Sequence, residues 1–205
     1  MTGSPTLSDD ILSFWFADSL ISAETARQRE TVWYGSDPDF DDEIRFQFGP
    51  TLECAAAGEL DGWKAGPRSA LALTLVLDQF PRNLYRGTAR AFELDPLALE
   101  VCLHSLERGH VAKLHPVEAV FALLPLEHAE DPAMQSRSLE EFSALPLRAP
   151  APLEKVLSTQ WSYAKKHFDI VERFGRFPHR NAALGRESTP EEVEYLGSEH
   201  DSFGW

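Results

Sequence analysis

The stretch Pro67-Arg68-Ser69-Ala70-Leu71-Ala72-Leu73-Thr74-Leu75-Val76-Leu77-Asp78-Gln79-Phe80-Pro81 decides the fold class. Leu71, Leu73, Leu75 and Leu77 alternate as the inner side of a strand would. The alanine and leucine content instead favours a buried helix between the two outer prolines, and nothing nearby offers a strand a partner. The segment therefore reads as helix, and the chain as all-α.

Working outward, helix punctuation recurs on both sides. Ser8 with Asp9 and Asp10 reads as a cap with acids in the first turn, ahead of Ile11, Leu12 and Trp15. Asp37-Pro38 opens a helix with Phe40, Ile44 and Phe48 at spacing four, which Gly49 is expected to stop. Pro50 should then open a short helix that Gly58 closes. Asp95-Pro96 and Pro116 open two more, with Leu99, Cys102, Leu103 and Leu106 on one and Val117, Val120, Phe121 and Leu124 on the other. A further helix starts near Pro132. Beyond the stiff connector Ala149-Pro150-Ala151-Pro152 the longest helix carries Leu153, Val156, Leu157, Ala164, Phe168 and Val171, and Gly175 ends it. Thr189-Pro190-Glu191-Glu192 is a capping box. Helices of this length with short Pro/Gly joints imply stacked antiparallel helical hairpins, in a single domain over residues 1–205. No fixed-period repeat stands out.

The chain has 205 residues, 43% of them hydrophobic and 11% aromatic, enough for a full core. A net charge of −14 argues against nucleic acid as a partner. No signal peptide and no membrane span is evident, and Cys54 and Cys102 sit singly in apolar patterns, so the expected setting is the cytoplasm with reduced thiols. Charge is uneven: residues 1–66 hold thirteen acids against four bases, whereas residues 165–186 hold six bases against two acids. Such a cationic island can focus an anion, or it can be a solvated helix face.

Within the island a phrase echoes an earlier one. Phe80-Pro81-Arg82-Asn83 is followed by Arg86-Gly87, and Phe177-Pro178-His179-Arg180-Asn181 by Gly185-Arg186. A proline there pushes its predecessor out of helical geometry and turns the chain, so each phrase reads as a loop projecting arginine and asparagine. Guanidinium forks on two facing loops suit a carboxylate or phosphate; the bland alternative is that they cap carbonyls and fill turns. A third cluster, Glu127-His128-Ala129-Glu130-Asp131, offers carboxylates beside an imidazole at a helix break. Its spacing matches no metal motif, and no metal or cofactor is expected. His167 lies on the long helix and reads as partly exposed, away from the apolar stripe and satisfied by Tyr163 or water. No nucleophile elbow, phosphate loop or dinucleotide fingerprint is present.

At these residues the chain resembles a bacterial family, domain-of-unknown-function family 924. The resemblance rests on Leu77-Asp78-Gln79-Phe80-Pro81-Arg82-Asn83, Tyr85-Arg86-Gly87-Thr88, Glu127-His128-Ala129-Glu130 and the run from Arg173 to Asn181, and continues from Leu184 through Glu192. It implies an all-α, tetratricopeptide-repeat-like superhelix and brings no established activity. The chain departs from the family's phrases at Leu126, where phenylalanine is common, and at Ala129, where serine is common.

The functional expectation is a pocket for a small anionic molecule or a peptide terminus, walled by Arg82, Asn83, Arg86, Arg176, His179, Arg180 and Asn181, with Asp78, Glu127 and His128 nearby. A non-catalytic scaffold holding a partner segment is the first alternative, and a hydrolase or lyase using Glu127 or His128 as acid or base the second. Three structural expectations follow. Asp78 pairs with Arg82, Arg86 or Arg180, because an unpaired carboxylate ending an apolar helix is costly. The two Phe-Pro phrases line one pocket. The terminal Ser202-Phe203-Gly204-Trp205 docks through its aromatics.

Overall fold

The structure is a computed structural model that describes residues 6–198. The expected docking of Ser202–Trp205 falls outside them. The described residues are all-α, with the chain 75% helical and no strand among them.

Two helices open the fold: α1 (Leu7–Phe16) and α2 (Ala23–Trp33). The α1 cap is Thr6, not Ser8, because Thr6 places Asp9 three positions on and so completes a reciprocal capping box. Helix α3 (Pro38–Ala56) begins at the Asp37 cap as expected but does not stop at Gly49. Pro50 lies inside it, on an exposed face beside exposed Phe46, where water can take up the carbonyl that the proline leaves without a donor.

The deciding stretch is helical, in three pieces: α4 (Pro67–Thr74), a π-turn (Leu75–Gln79) and α5 (Phe80–Leu84). The Phe80 N–H reaches back five residues to the Leu75 carbonyl. This wider turn makes room for the Pro81 ring, so Phe80 keeps helical angles and the chain does not turn there. Arg82 and Asn83 therefore stand on a helix, which corrects the loop expected from the proline.

Then come α6 (Asp95–Glu107), α7 (Pro116–His128), α8 (Pro132–Ala144), α9 (Ala151–Phe174) and α10 (Pro190–Leu196). Gly175, at φ 70°, ends α9 in the left-handed conformation that glycine adopts without strain. Every side chain of α7 from Val117 to Glu127 is buried, the mark of a helix enclosed on all sides. It packs against α4, α6, α8 and α9, and Phe121 meets the rings of Trp15, Phe16 and Trp33 edge-on. Both ends of this apolar rod are polar: Glu118 in the first turn is taken by Arg68 and the His115 cap, and the site forms at the last turn, Glu127-His128. Cys102 is buried, which pushes its thiol up to about 12, while Cys54 is only partly covered. No helix among the described residues is long and apolar enough to cross a membrane.

Candidate functional site

A cavity of about 290 Å³ opens at the end of α7. The end of α2 contributes Trp33 and Tyr34, and the π-turn contributes Gln79. Arg82 and Asn83 come from α5, and Arg86 from the turn after it. Helix α7 supplies Leu124, Glu127 and His128, helix α9 Gln160, Tyr163 and His167, and the 3₁₀ turn Pro178–Arg180 supplies His179 and Arg180. The two Phe-Pro phrases thus meet at one cavity, as expected.

Beneath the cavity floor lies a line of alternating charges. Asp78, fully buried, has one carboxylate oxygen 2.7 Å from His128 Nδ1 and accepts from Gln79 Nε2 at 2.6 Å on the other. Arg82 Nη1 is 3.3 Å from Asp78 and donates to its backbone carbonyl at 2.6 Å. The Arg82 fork then grips Asp95 through two hydrogen bonds, at 2.8 and 3.0 Å. Arg180 Nη1 reaches the same Asp95 at 3.3 Å. The expected Asp78 pair is therefore present, with Arg82. Arg86 pairs instead with Asp41, at 3.1 and 3.3 Å, and Asn83 donates to that same carboxylate at 2.7 Å.

Burial alone would raise the Asp78 pKa, but the charges of Arg82 and His128 and the hydrogen bonds from His128 and Gln79 hold it well below the usual carboxylate range. An ionised carboxylate only accepts, so His128 Nδ1 carries the proton that bridges to it. Burial, with the Arg82 guanidinium beside it, lowers the His128 pKa and keeps the ring neutral near pH 7. Its other nitrogen, Nε2, is then an unprotonated acceptor on the side of the ring away from Asp78.

Arg180 is 6% exposed and lies between the rings of Phe92 and Phe177, 4.6 and 4.4 Å from their centroids. Burial lowers its pKa to about 10, with Arg82 nearby adding to the effect against Asp95. Its Nε is buried without a hydrogen-bond partner among the described residues. This is an under-satisfied cation at a cavity wall.

Three expected residues lie elsewhere. Asp78 sits behind the wall, holding His128 and Arg82. Arg176 forks onto Glu192 at 2.7 and 2.8 Å, outside the cavity. Asn181 is buried and ties Ser188, Glu192 and Arg186 together at 3.0, 3.2 and 2.9 Å. These last two clasp the segment leading into α10, because Glu192 at the third position of the Thr189 capping box gathers donors from both sides. Glu130 does similar work: it accepts from Arg186 at 2.5 and 2.9 Å and from the Phe177 N–H at 2.7 Å.

His167 also departs from expectation. It is buried, lines the cavity, and its Nδ1 lies 2.9 Å from the Tyr163 carbonyl and 3.0 Å from Glu127. Its spacing, three residues after Ala164 and four before Val171, puts it on the buried stripe of α9, and that spacing is the signal that finds it. Asp41 and Asp95 escape sequence reasoning because both lie in the first turns of helices, where an acid reads as dipole compensation.

The family model for bacterial protein of unknown function, DUF924, matches residues 11–200. The chain belongs to this family. The phrases on which the resemblance rests supply Asp78, Arg82, His128 and Arg180 of the charge line and the Arg176–Asn181–Glu192 clasp, whereas Asp41, Asp95 and the α2 and α9 walls lie outside them. A solved structure, that of the protein of unknown function ATU0120 from Agrobacterium tumefaciens, is similar at 41% identity and a TM-score of 0.78. The similarity covers 93% of this chain and 96% of that one. None of the curated proteins matches the chain.

Proposed function

We propose that the protein binds a small molecule through a carboxylate or phosphate group, in a cavity of the tetratricopeptide-like superhelix that the family resemblance implies. One observation carries the reading. Arg82, Arg86 and Arg180 all line the cavity, while the carboxylates that hold them, Asp41, Asp78 and Asp95, lie behind. One carboxylate, Glu127, also lines the cavity beside His167, so the three guanidiniums leave the wall cationic, and fixed forks lose little freedom on receiving an anion. A cavity near 290 Å³ suits a small molecule rather than a peptide laid along a groove.

Calorimetric titration with inorganic phosphate and with succinate tests this. At least one should bind, and Arg180→Ala should weaken it about tenfold or more, the value of roughly 1.5–3 kcal/mol for a charge-assisted hydrogen bond. Arg180→Lys should restore little, because it loses the fork. Absence of binding to the wild type, or equal binding by Arg180→Ala, overturns the reading.

A further inference from the structure

We propose that His128 is a general base, aimed by Asp78, that takes a proton from the molecule held by the cavity's guanidiniums. The inference rests on the anion-binding reading above and adds chemistry to it. Its geometry is that of a base with an orienting partner. Asp78 is fully buried and 2.7 Å from His128 Nδ1, which fixes both the ring and its tautomer. Nε2, at the other side of the ring, keeps its lone pair free of that contact, and His128 lines the cavity. Arg180, whose buried Nε has no hydrogen-bond partner among the described residues, lines the same cavity and can offset negative charge there.

The lining contains no serine, threonine, cysteine or lysine among the described residues, and its two phenols, Tyr34 and Tyr163, are weak nucleophiles beside those groups. The base acts on the bound molecule directly. The step is a proton transfer: an X–H bond of the bound acid breaks, the proton ends on His128 Nε2, and the electron pair stays on X, where the guanidiniums offset its charge. The substrate class is a small carboxylate or phosphate bearing an ionisable X–H within reach of the ring.

The groups facing His128 are Asp78 from the π-turn, Arg82 from α5, Asp95 from α6 and His167 from α9, whose ring centroid is 6.1 Å away. Burial and Arg82 oppose a charge on the ring, and Asp78 favours one. Neutral imidazole near pH 7 is the form a base needs.

Carbethoxylation of the full chain by diethyl pyrocarbonate, read peptide by peptide by mass spectrometry, provides the test, because the reagent attacks only an unprotonated, accessible ring nitrogen. Inorganic phosphate serves as the cavity probe. His128 should react faster than any of the other six histidines, with a rate midpoint below the ordinary value of about 6.5, and phosphate should protect it. Asp78→Asn should move the midpoint lower still, since the carboxylate that favours the charged ring is gone. A merely structural histidine would stay unmodified.

Slow modification of His128 in the wild type, or a midpoint unmoved in a folded Asp78→Asn, overturns the base assignment. The wild-type measurement decides the first point even where the variant fails to fold. Fast modification without phosphate protection instead sinks the anion-binding reading, and Arg180→Ala checks it independently: it should keep the fast reaction and lose the protection.

Discussion

Asp78 shows how one buried charge can be tolerated only by organising its neighbours. Its carboxylate has no exposed surface, and Arg82, His128 and Gln79 all converge on it. Removing it leaves the Arg82 guanidinium and the His128 ring without that partner in a dry site. Asp78→Ala should therefore cost about 3–5 kcal/mol, read by urea denaturation; a loss below about 1 kcal/mol would contradict the pairing. The same cluster sets a pH dependence. The His128 pKa is depressed in the fold, so as pH falls below about 6.5 the unfolded chain binds the proton first and stability is lost. The depressed Asp78 carboxyl adds stability that is present above about pH 3.9 and lost below it. His110 and His115, also lowered by burial, share the first window. His128→Gln should accordingly reduce, without abolishing, the decline of the urea midpoint between about pH 6.5 and 5; an unchanged slope would rule out a neutral native His128. The need for a cation at Asp78 was legible in the sequence, because a carboxylate ending an apolar run has few alternatives. The role of Asp95 was not, because its pairing partners are thirteen and eighty-five residues away.

At the scale of elements, the apolar pattern told where helices lie better than where they end. Composition rightly made residues 67–81 helical, yet Pro50 and Pro81 both read as breaks and neither is one. Whether a proline ends a helix depends on what the freed carbonyl meets and on whether a wider turn can absorb the ring. Those are tertiary facts. The same gap separates Arg180 from its sequence neighbours Arg176 and Asn181. All three sit in one phrase, but the short turn Pro178–Arg180 sends Arg180 to the cavity and leaves the other two on the α10 clasp. The carboxyl at the centre of that clasp, Glu192, is lowered to about 2, first by its hydrogen bond from Arg176. Asn181→Ala should lower stability by about 1–3 kcal/mol, because buried partners lose a hydrogen bond. It should leave phosphate affinity unchanged in the same titration that Arg180→Ala disturbs. Loss of phosphate binding in a folded Asn181→Ala would mean that the clasp and the cavity wall are one unit.

Across the whole molecule the cavity is a convergence of segments far apart in the chain. Residues 33–34, 79–86, 124–128, 160–167 and 179–180 all reach it. The basic run at 165–186 hinted at part of this, since a cationic island on an acidic chain can focus an anion. Among the described residues each island finds its partners elsewhere: Asp41 of the acidic stretch pairs with Arg86, and Arg180 of the basic run pairs with Asp95. The uncharged walls, such as Tyr34 and Gln160, carry no such hint in sequence, because only packing against α7 and α9 brings them together. This convergence has a consequence for stability. A ligand that binds only the native cavity stabilises it by mass action, about 2.7 kcal/mol at a hundredfold excess over Kd. The stabilisation is felt by every segment that must be in place for binding. Hydrogen exchange with and without saturating phosphate should therefore show protection both around Phe80–Arg86 and around Phe177–Asn181. A ligand held by the basic island alone, as a surface counter-ion, would protect only the second segment. Protection confined to one side, in a protein that still binds phosphate, would place the anion outside the cavity and leave the facing arginines as structural clasps.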